Sequence, residues 1–211
     1  MSLTENIFDA VVAGDQTETD TLVKQALEAG IPAETVLREG MIPAMTEVGS
    51  RFEGGEYFIP DMLVSARAMK IGMERLRPYL VAADVKPIGK VVIGTVKGDL
   101  HDIGKNLVAV MLQGAGFQVL DLGVDVSAQR FVEAARETGA DLVALSALLT
   151  TTMPWMATVV EELQKAGLHG QVKVLIGGAP ITQAYADHIG ADGFAPDASA
   201  AASRARQLVG V

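Results

Sequence analysis

No cysteine occurs among the 211 residues, and that one absence removes disulfides, thiolate zinc sites, iron–sulfur clusters and a cysteine nucleophile. Any metal must be held by nitrogen or oxygen, or arrive inside a cofactor. Histidine is scarce as well. His101, His169 and His188 are the only three, and the last two stand beside expected surface turns, so a three-ligand protein metal site is hard to assemble. Positive charge is in deficit, with 17 Lys and Arg against 26 Asp and Glu for a net charge of −9. That argues against nucleic acid as a partner, because affinity for a phosphate backbone needs a basic surface. No apolar run approaches the roughly 18 residues of a membrane span. The opening Met1-Ser2-Leu3-Thr4-Glu5-Asn6 lacks a basic region followed by an apolar stretch. The expectation is a cytoplasmic protein with no membrane partner. What is present suffices for a core: 49% of residues are hydrophobic and 20% charged, the balance of a globular chain.

Charge and period change near residue 85. Up to that point there are 7 basic and 14 acidic side chains, and beyond it 10 and 12, so the acidity belongs to the first part. That part reads as a small bundle of four or five helices. Thr4 and Thr19 are expected N-caps, Gly14, Gly30 and Gly40 expected stops, and Pro32 and Pro43 first-turn residues. Its clearest helix runs from about Pro60 to Leu80, with Met62, Ala66, Met69, Met73, Leu76 and Leu80 on one face. Val81 to Gly89, containing Pro87, breaks the period and reads as a linker. The expected domains are therefore residues 1–85, helical, and 86–211. In the second, β-branched runs at Lys90 to Val96, Phe117 to Gly123, Asp141 to Ser146, Val172 to Ile176 and Gly193-Phe194 alternate with helices starting near Ile103, Ser127, Thr152, Pro180 and Ala198. Five such alternations predict an α/β fold with a doubly wound parallel sheet, whose ligands bind beyond the carboxyl ends of the strands.

The loop after the first strand reads Thr95-Val96-Lys97-Gly98-Asp99-Leu100-His101-Asp102-Ile103-Gly104-Lys105-Asn106. It contains neither G-x-x-x-x-G-K-[ST] nor G-x-G-x-x-G, so a nucleotide site is not indicated. Asp99 and His101 are two residues apart and in an extended loop point to one side. The carboxylate can then accept the Nδ1 proton and leave Nε2 facing outward, which prepares a histidine to bind a metal. D-x-H alone fits a capping aspartate and a structural histidine equally well. Gly104 adds room for backbone to approach a bulky group. Ser146-Ala147-Leu148-Leu149-Thr150-Thr151-Thr152 and Ile176-Gly177-Gly178-Ala179-Pro180 place small and hydroxylated residues at the ends of the third and fourth strands.

D-x-H-x-x-G at Asp99, His101 and Gly104, S-x-L at Ser146 and Leu148, and the pair Gly177-Gly178 follow one another at successive strand ends. Together they resemble the cobalamin-binding domain of the B12-dependent methyltransferase family, a Rossmann-like, flavodoxin-like domain also found in methionine synthase. The resemblance implies a cobalamin whose own base is displaced, with His101 as lower cobalt ligand, Asp99 as its hydrogen-bond partner and Thr152 completing a triad where the relative has a serine. It implies that Gly98, Leu100, Asp102, Ile103 and Gly104 border the cofactor and that Ser146 and Thr150 contact the displaced nucleotide tail. Gly177 and Gly178 would make room for that tail, with Asp197 and Ala198 further along its slot. The helical part shares the likeness. Arg51 to Pro60 and Ser65 to Lys70 are similar to the cap over the methyl-bearing face of the corrin, with Phe52 and Ile59 as the apolar lid.

What the resemblance implies is a corrinoid protein that shuttles a methyl group from a substrate-specific methyltransferase to a second one, carrying methylcobalamin when loaded and not catalytic alone. With 211 residues there is no room for a substrate barrel of roughly 250. With no cysteine, re-reduction of stalled cobalt falls to an external reductive activase. The alternatives from other classes are a cobalamin-binding subunit of a radical mutase, which needs no methyl cap, and a B12-sensing or storage module, which turns nothing over.

Overall fold

A computed structural model describes residues 2–210, and the chain divides into two compact units. One comprises the residues up to Lys86 together with Gly114–Gly116, and the other comprises Pro87–Gln113 and the residues from Phe117 onward. Among the described residues no helix is long and apolar enough to cross a membrane.

The first unit is helical: α1 (Leu3–Val12), α2 (Gln16–Glu28), a single turn α3 (Ala33–Thr35) running through a π-helical stretch (Val36–Met41) into α4 (Ile42–Glu53), and α5 (Ile59–Ala82). Its starts differ from expectation. α1 is capped by Ser2 in a capping box with Glu5, and α2 by Asp15, whose side chain accepts the Glu18 N–H at 2.9 Å. Thr4 and Thr19 lie inside these helices, and the Thr19 hydroxyl bonds back to the Asp15 carbonyl at 2.7 Å, as helical threonines do. Gly40 is not a stop either. It lies within the π-helical stretch, where a Cβ would stand 3.1 Å from the Thr4 carbonyl oxygen and 3.4 Å from Ile7, so its smallness serves close approach of α1. Gly14 and Gly30, both at positive φ just past α1 and α2, do end helices. α5 extends beyond the anticipated end, through Pro78 to Ala82, so Val81 and Ala82 are helical rather than linker. Met62, Met69, Leu76 and Leu80 are buried on one face of α5.

The second unit alternates strictly: β1 (Lys90–Thr95), α6 (Ile103–Gly114), β2 (Gln118–Asp121), α7 (Ala128–Thr138), β3 (Leu142–Ser146), α8 (Pro154–Lys165), β4 (Lys173–Gly177), α9 (Gln183–Ile189), β5 (Gly193–Ala195) and α10 (Ala198–Val209). All pairings are parallel, in the order β2-β1-β3-β4-β5. Continuous burial along β1 and β3, rather than alternation, is the mark of strands covered on both faces. Phe131, Val143, Met156, Leu163 and Val174 centre the core. Because the chain leaves β1 for one side of the sheet and returns to the other side at β3, the loops after these two strands diverge at their carboxyl ends. That divergence opens the crevice where open α/β sheets take ligands. The register sets Thr95 beside Ser146 and Ser146 beside Gly177, so the three loops start at one level.

Candidate functional site

Asp99 is wholly buried at this crevice and its carboxylate is saturated. Oδ1 accepts from the His101 ring Nδ1 at 2.7 Å and from the His101 backbone N–H at 3.1 Å. Oδ2 accepts the Thr152 hydroxyl at 2.7 Å, the Leu148 N–H at 2.7 Å and the Leu149 N–H at 3.3 Å. Burial by itself pushes this carboxyl upward. The Leu148 N–H, the Thr152 hydroxyl and His101 outweigh it and hold the group well below the usual carboxylate range. An ionised carboxylate has no proton to give, so Nδ1 carries the hydrogen of that contact, and in the neutral ring the lone pair is the one on Nε2. The imidazole is about half exposed, at 52% of its side chain.

The loop that carries the histidine is held along its length. The Thr95 hydroxyl donates to the His101 carbonyl at 2.9 Å. Gly98 sits at φ +79°, a left-handed turn that glycine adopts without penalty, and its N–H donates to Asp125 Oδ1 at 2.7 Å. Asp102 immediately precedes α6, accepting from the Asn106 side chain at 3.1 Å. Gly104, on the first turn, has no atom within 4 Å of where a Cβ would stand. Lys97 lies over the Trp155 ring at 4.8 Å from its centroid, joining the β1 loop to the first turn of α8.

Of the residues singled out in the sequence, the structure brings Asp99, His101 and Thr152 into one hydrogen-bonded group. Gly98, Leu100, Asp102, Ile103 and Gly104 lie on the same loop and helix start. Ser146 is the last residue of β3, and Leu148 and Thr150 are exposed just beyond it. Gly177 ends β4, and Gly178 follows at φ +138°, where a Cβ would stand 1.9 Å from the Ala147 carbonyl oxygen; no other residue fits without moving the β3 loop. Asp197 caps α10, accepting the Ala200 N–H at 2.8 Å, and Ala198 is buried behind it. Phe52 and Ile59 belong to the helical unit, at the end of α4 and the start of α5, half-buried and exposed respectively. His169 and His188 are exposed, and among the described residues no three His, Asp or Glu side chains converge as a metal cluster.

Sequence reasoning missed Asp125, the Leu149 N–H and the Lys97–Trp155 stack. Asp125 touches Gly98 across 27 residues, and no local pattern signals such a contact.

These residues suit a flat, largely apolar macrocycle with an axial metal position and a polar tail. One outward imidazole nitrogen is fixed by a buried carboxylate, which matches a metal that brings its remaining ligands with it. Around it, Leu100 and Ile103 are 70% and 75% exposed, with Leu148, Leu149 and Trp155 also at the surface. Apolar side chains grouped this way mark a surface that something covers. Gly177 and Gly178 keep the next loop free of side chains.

Comparison with known proteins agrees with this chemistry. Two family models, each described as a B12 binding domain, match residues 89–203 and 3–77. Dimethylamine corrinoid protein 3 of Methanosarcina acetivorans is 44% identical over 207 residues, covering 98% of this chain and 97% of the relative. A solved cobalamin-binding protein from Desulfitobacterium hafniense superposes with a TM-score of 0.82 at 32% identity, covering 98% of both chains. A chain of the methanol:cobalamin methyltransferase complex from Methanosarcina barkeri superposes with a TM-score of 0.88 at 28% identity, over 99% of this chain and 80% of that one.

Proposed function

The chain belongs to the B12-binding corrinoid proteins of methyltransferase systems, with a corrinoid as cofactor, and from that premise we propose that it carries methyl groups on a cobalamin bound base-off with His101 as the lower ligand. The observation that supports this most directly is the Thr152–Asp99–His101 relay, which ends in an outward Nε2. When bound, the corrinoid supplies the cobalt centre that accepts and gives up the methyl group.

The chain's own residues do the rest. His101 would offer Nε2 to the cobalt, and Asp99 would keep the ring in the Nδ1–H tautomer and in one orientation. Thr152 and the Leu148 N–H keep Asp99 ionised in its buried place. Gly98, Leu100, Asp102, Ile103 and Gly104 border the macrocycle. Ser146, Leu148, Thr150, Gly177, Gly178, Asp197 and Ala198 would hold the displaced tail. Phe52 and Ile59, on residues 1–85 taken as the cap domain, would supply the apolar lid that keeps water from the bound cofactor. The partners are a substrate-specific methyltransferase, of the kind seen with the related chain of the methanol:cobalamin complex, a second methyltransferase that receives the methyl group, and an external reductive activase.

The test is the paramagnetic resonance spectrum of cobalt(II) cobalamin, unlabelled, bound to protein uniformly labelled with ¹⁵N, beside a His101→Ala sample. A doublet nitrogen splitting, lost in the variant, is expected. A triplet would show that the cofactor keeps its own base and would overturn the His101 assignment, and a chain that binds no corrinoid would overturn the reading as a whole.

A further inference from the structure

Among the described residues only two non-glycine residues have positive φ, Asp84 at 52° and Asp125 at 53°. Asp84 lies just past α5, where helices commonly end in a left-handed residue. Asp125 ends no helix. It sits in the loop between β2 and α7, and its left-handed backbone turns two groups onto the histidine loop at once. Its carboxylate Oδ1 accepts the Gly98 N–H at 2.7 Å, and its own N–H donates to the Asp99 carbonyl at 3.0 Å. Aspartate tolerates this conformation better than most residues, yet at a cost that persists only where the surroundings impose it.

The hold is two-sided. β1 lies between β2 and β3. From the β3 side, the Leu148 and Leu149 N–H groups and the Thr152 hydroxyl grip the Asp99 carboxylate. From the β2 side, pairing continues past the strands: Thr95 N–H to the Gly123 carbonyl at 2.9 Å, then Val126 N–H to the Thr95 carbonyl at 3.0 Å. Asp125 closes that run. Without it the Asp99 carboxylate would be anchored while its backbone followed Gly98, the residue of this loop with the greatest freedom to rotate.

We propose that Asp125 is a positioning residue for the cobalt ligand, fixing the peptides at Gly98 and Asp99 so that the Asp99 carboxylate meets His101 Nδ1 in a single orientation. The inference rests on the reading of His101 as axial ligand. The hydrogen bonds of Asp125 to this loop go to Gly98 and Asp99, not to His101. It acts through Asp99.

Three variants of the full chain separate this role from a merely structural one. Asp125→Asn keeps an acceptor oxygen and tolerance of the left-handed backbone. Asp125→Gly removes the acceptor and relieves the strain. Asp125→Ala removes the acceptor and keeps the strain. Two readouts apply: the fraction of bound cobalt(II) with a protein-nitrogen splitting, and the ¹⁵N shifts of the His101 ring in cofactor-free protein, which report the Nδ1–H tautomer. Asn is expected to match the parent. Gly and Ala are expected to shift the ligated-to-unligated ratio by about tenfold, the scale of one charge-assisted hydrogen bond, and to lose the single tautomer, even where Gly leaves the melting temperature unchanged. Parent-like tautomer and ligation in both Gly and Ala would overturn the proposal, and so would equal loss in Asn. The ring shifts are read without cobalt, so they decide the role of Asp125 even if the parent's cobalt signal shows no protein nitrogen, a result that would count against the axial-ligand reading alone.

Discussion

Thr152 spends its hydroxyl on a buried anion and its methyl on packing, and the two contributions can be separated by substitution. Thr152→Val keeps the shape and leaves Asp99 Oδ2 one donor short. Hydrogen bonds to charged groups contribute about 1.5–3 kcal/mol, so a loss of that size is expected. Thr152→Ser keeps the donor and removes one buried methyl, for a loss of about 1 kcal/mol. Denaturant unfolding followed by the fluorescence of Trp155, the only tryptophan in the chain, reads both in the unit that holds the site. A Val variant as stable as the parent would mean that the hydroxyl contributes nothing to holding the carboxylate. Much of this group was legible beforehand. A spacing of two puts Asp99 and His101 side chains on the same side of an extended loop, and Thr152 came only from the resemblance to the methyltransferase family. Asp125 was not legible, because its role depends on a left-handed backbone and on a partner 27 residues away, neither of which leaves a mark in local sequence.

Helices α2 and α5 are tied by Arg75, whose Nε and Nη2 donate to the two carboxylate oxygens of Asp20 at 2.5 and 2.7 Å. The Arg75 hydrogen bonds hold Asp20 below its ordinary value of 3.8, against the smaller upward push of burial. A carboxylate with a depressed pKa adds stability that is fully present above the unfolded value and is lost as pH falls through the folded one. The expected outcome is a lower melting temperature for Asp20→Asn at neutral pH, with the gap to the parent narrowing once the pH drops below 3.8. Both groups are more than one-third exposed, so solvent screening keeps the shift small. A gap that stays constant down to strongly acidic pH would show that geometry, not charge, carries the tie. The same elements show where sequence reading succeeds and fails. The long apolar stripe of α5 announces itself by period, whereas the starts of α1 and α2 depend on which of several neighbouring oxygens caps the first turn. Ser2 and Asp15 each have a Glu three residues on, and that pattern outranks the threonines that follow. Gly40 illustrates the converse: a glycine that reads as punctuation can be a contact point, and only the packing partner tells them apart.

At the scale of the whole molecule, alternation of strands and helices specified a parallel sheet, and the composition of the strand ends indicated which edge is chemically active. Strand order was beyond local pattern, since it depends on which side of β1 each crossover returns to. The observed order places the switch between β1 and β3, and this makes a definite statement about where a cofactor acts. If the corrinoid occupies the carboxyl edge of the sheet, loading the full chain with cobalamin should slow amide exchange in residues 97–104, 146–152, 177–180 and 196–198. The opposite edge, residues 139–141 and 190–192, should be unchanged. These two sets are interleaved along the chain, so no gradient of general tightening could imitate the pattern. Exchange measured by mass spectrometry before and after loading resolves them. Protection concentrated at the amino-terminal edge would move the cofactor away from His101 and with it the role assigned to Asp99, whereas protection confined to 97–104 would retain the histidine ligand and remove the glycines and Asp197 from the tail slot.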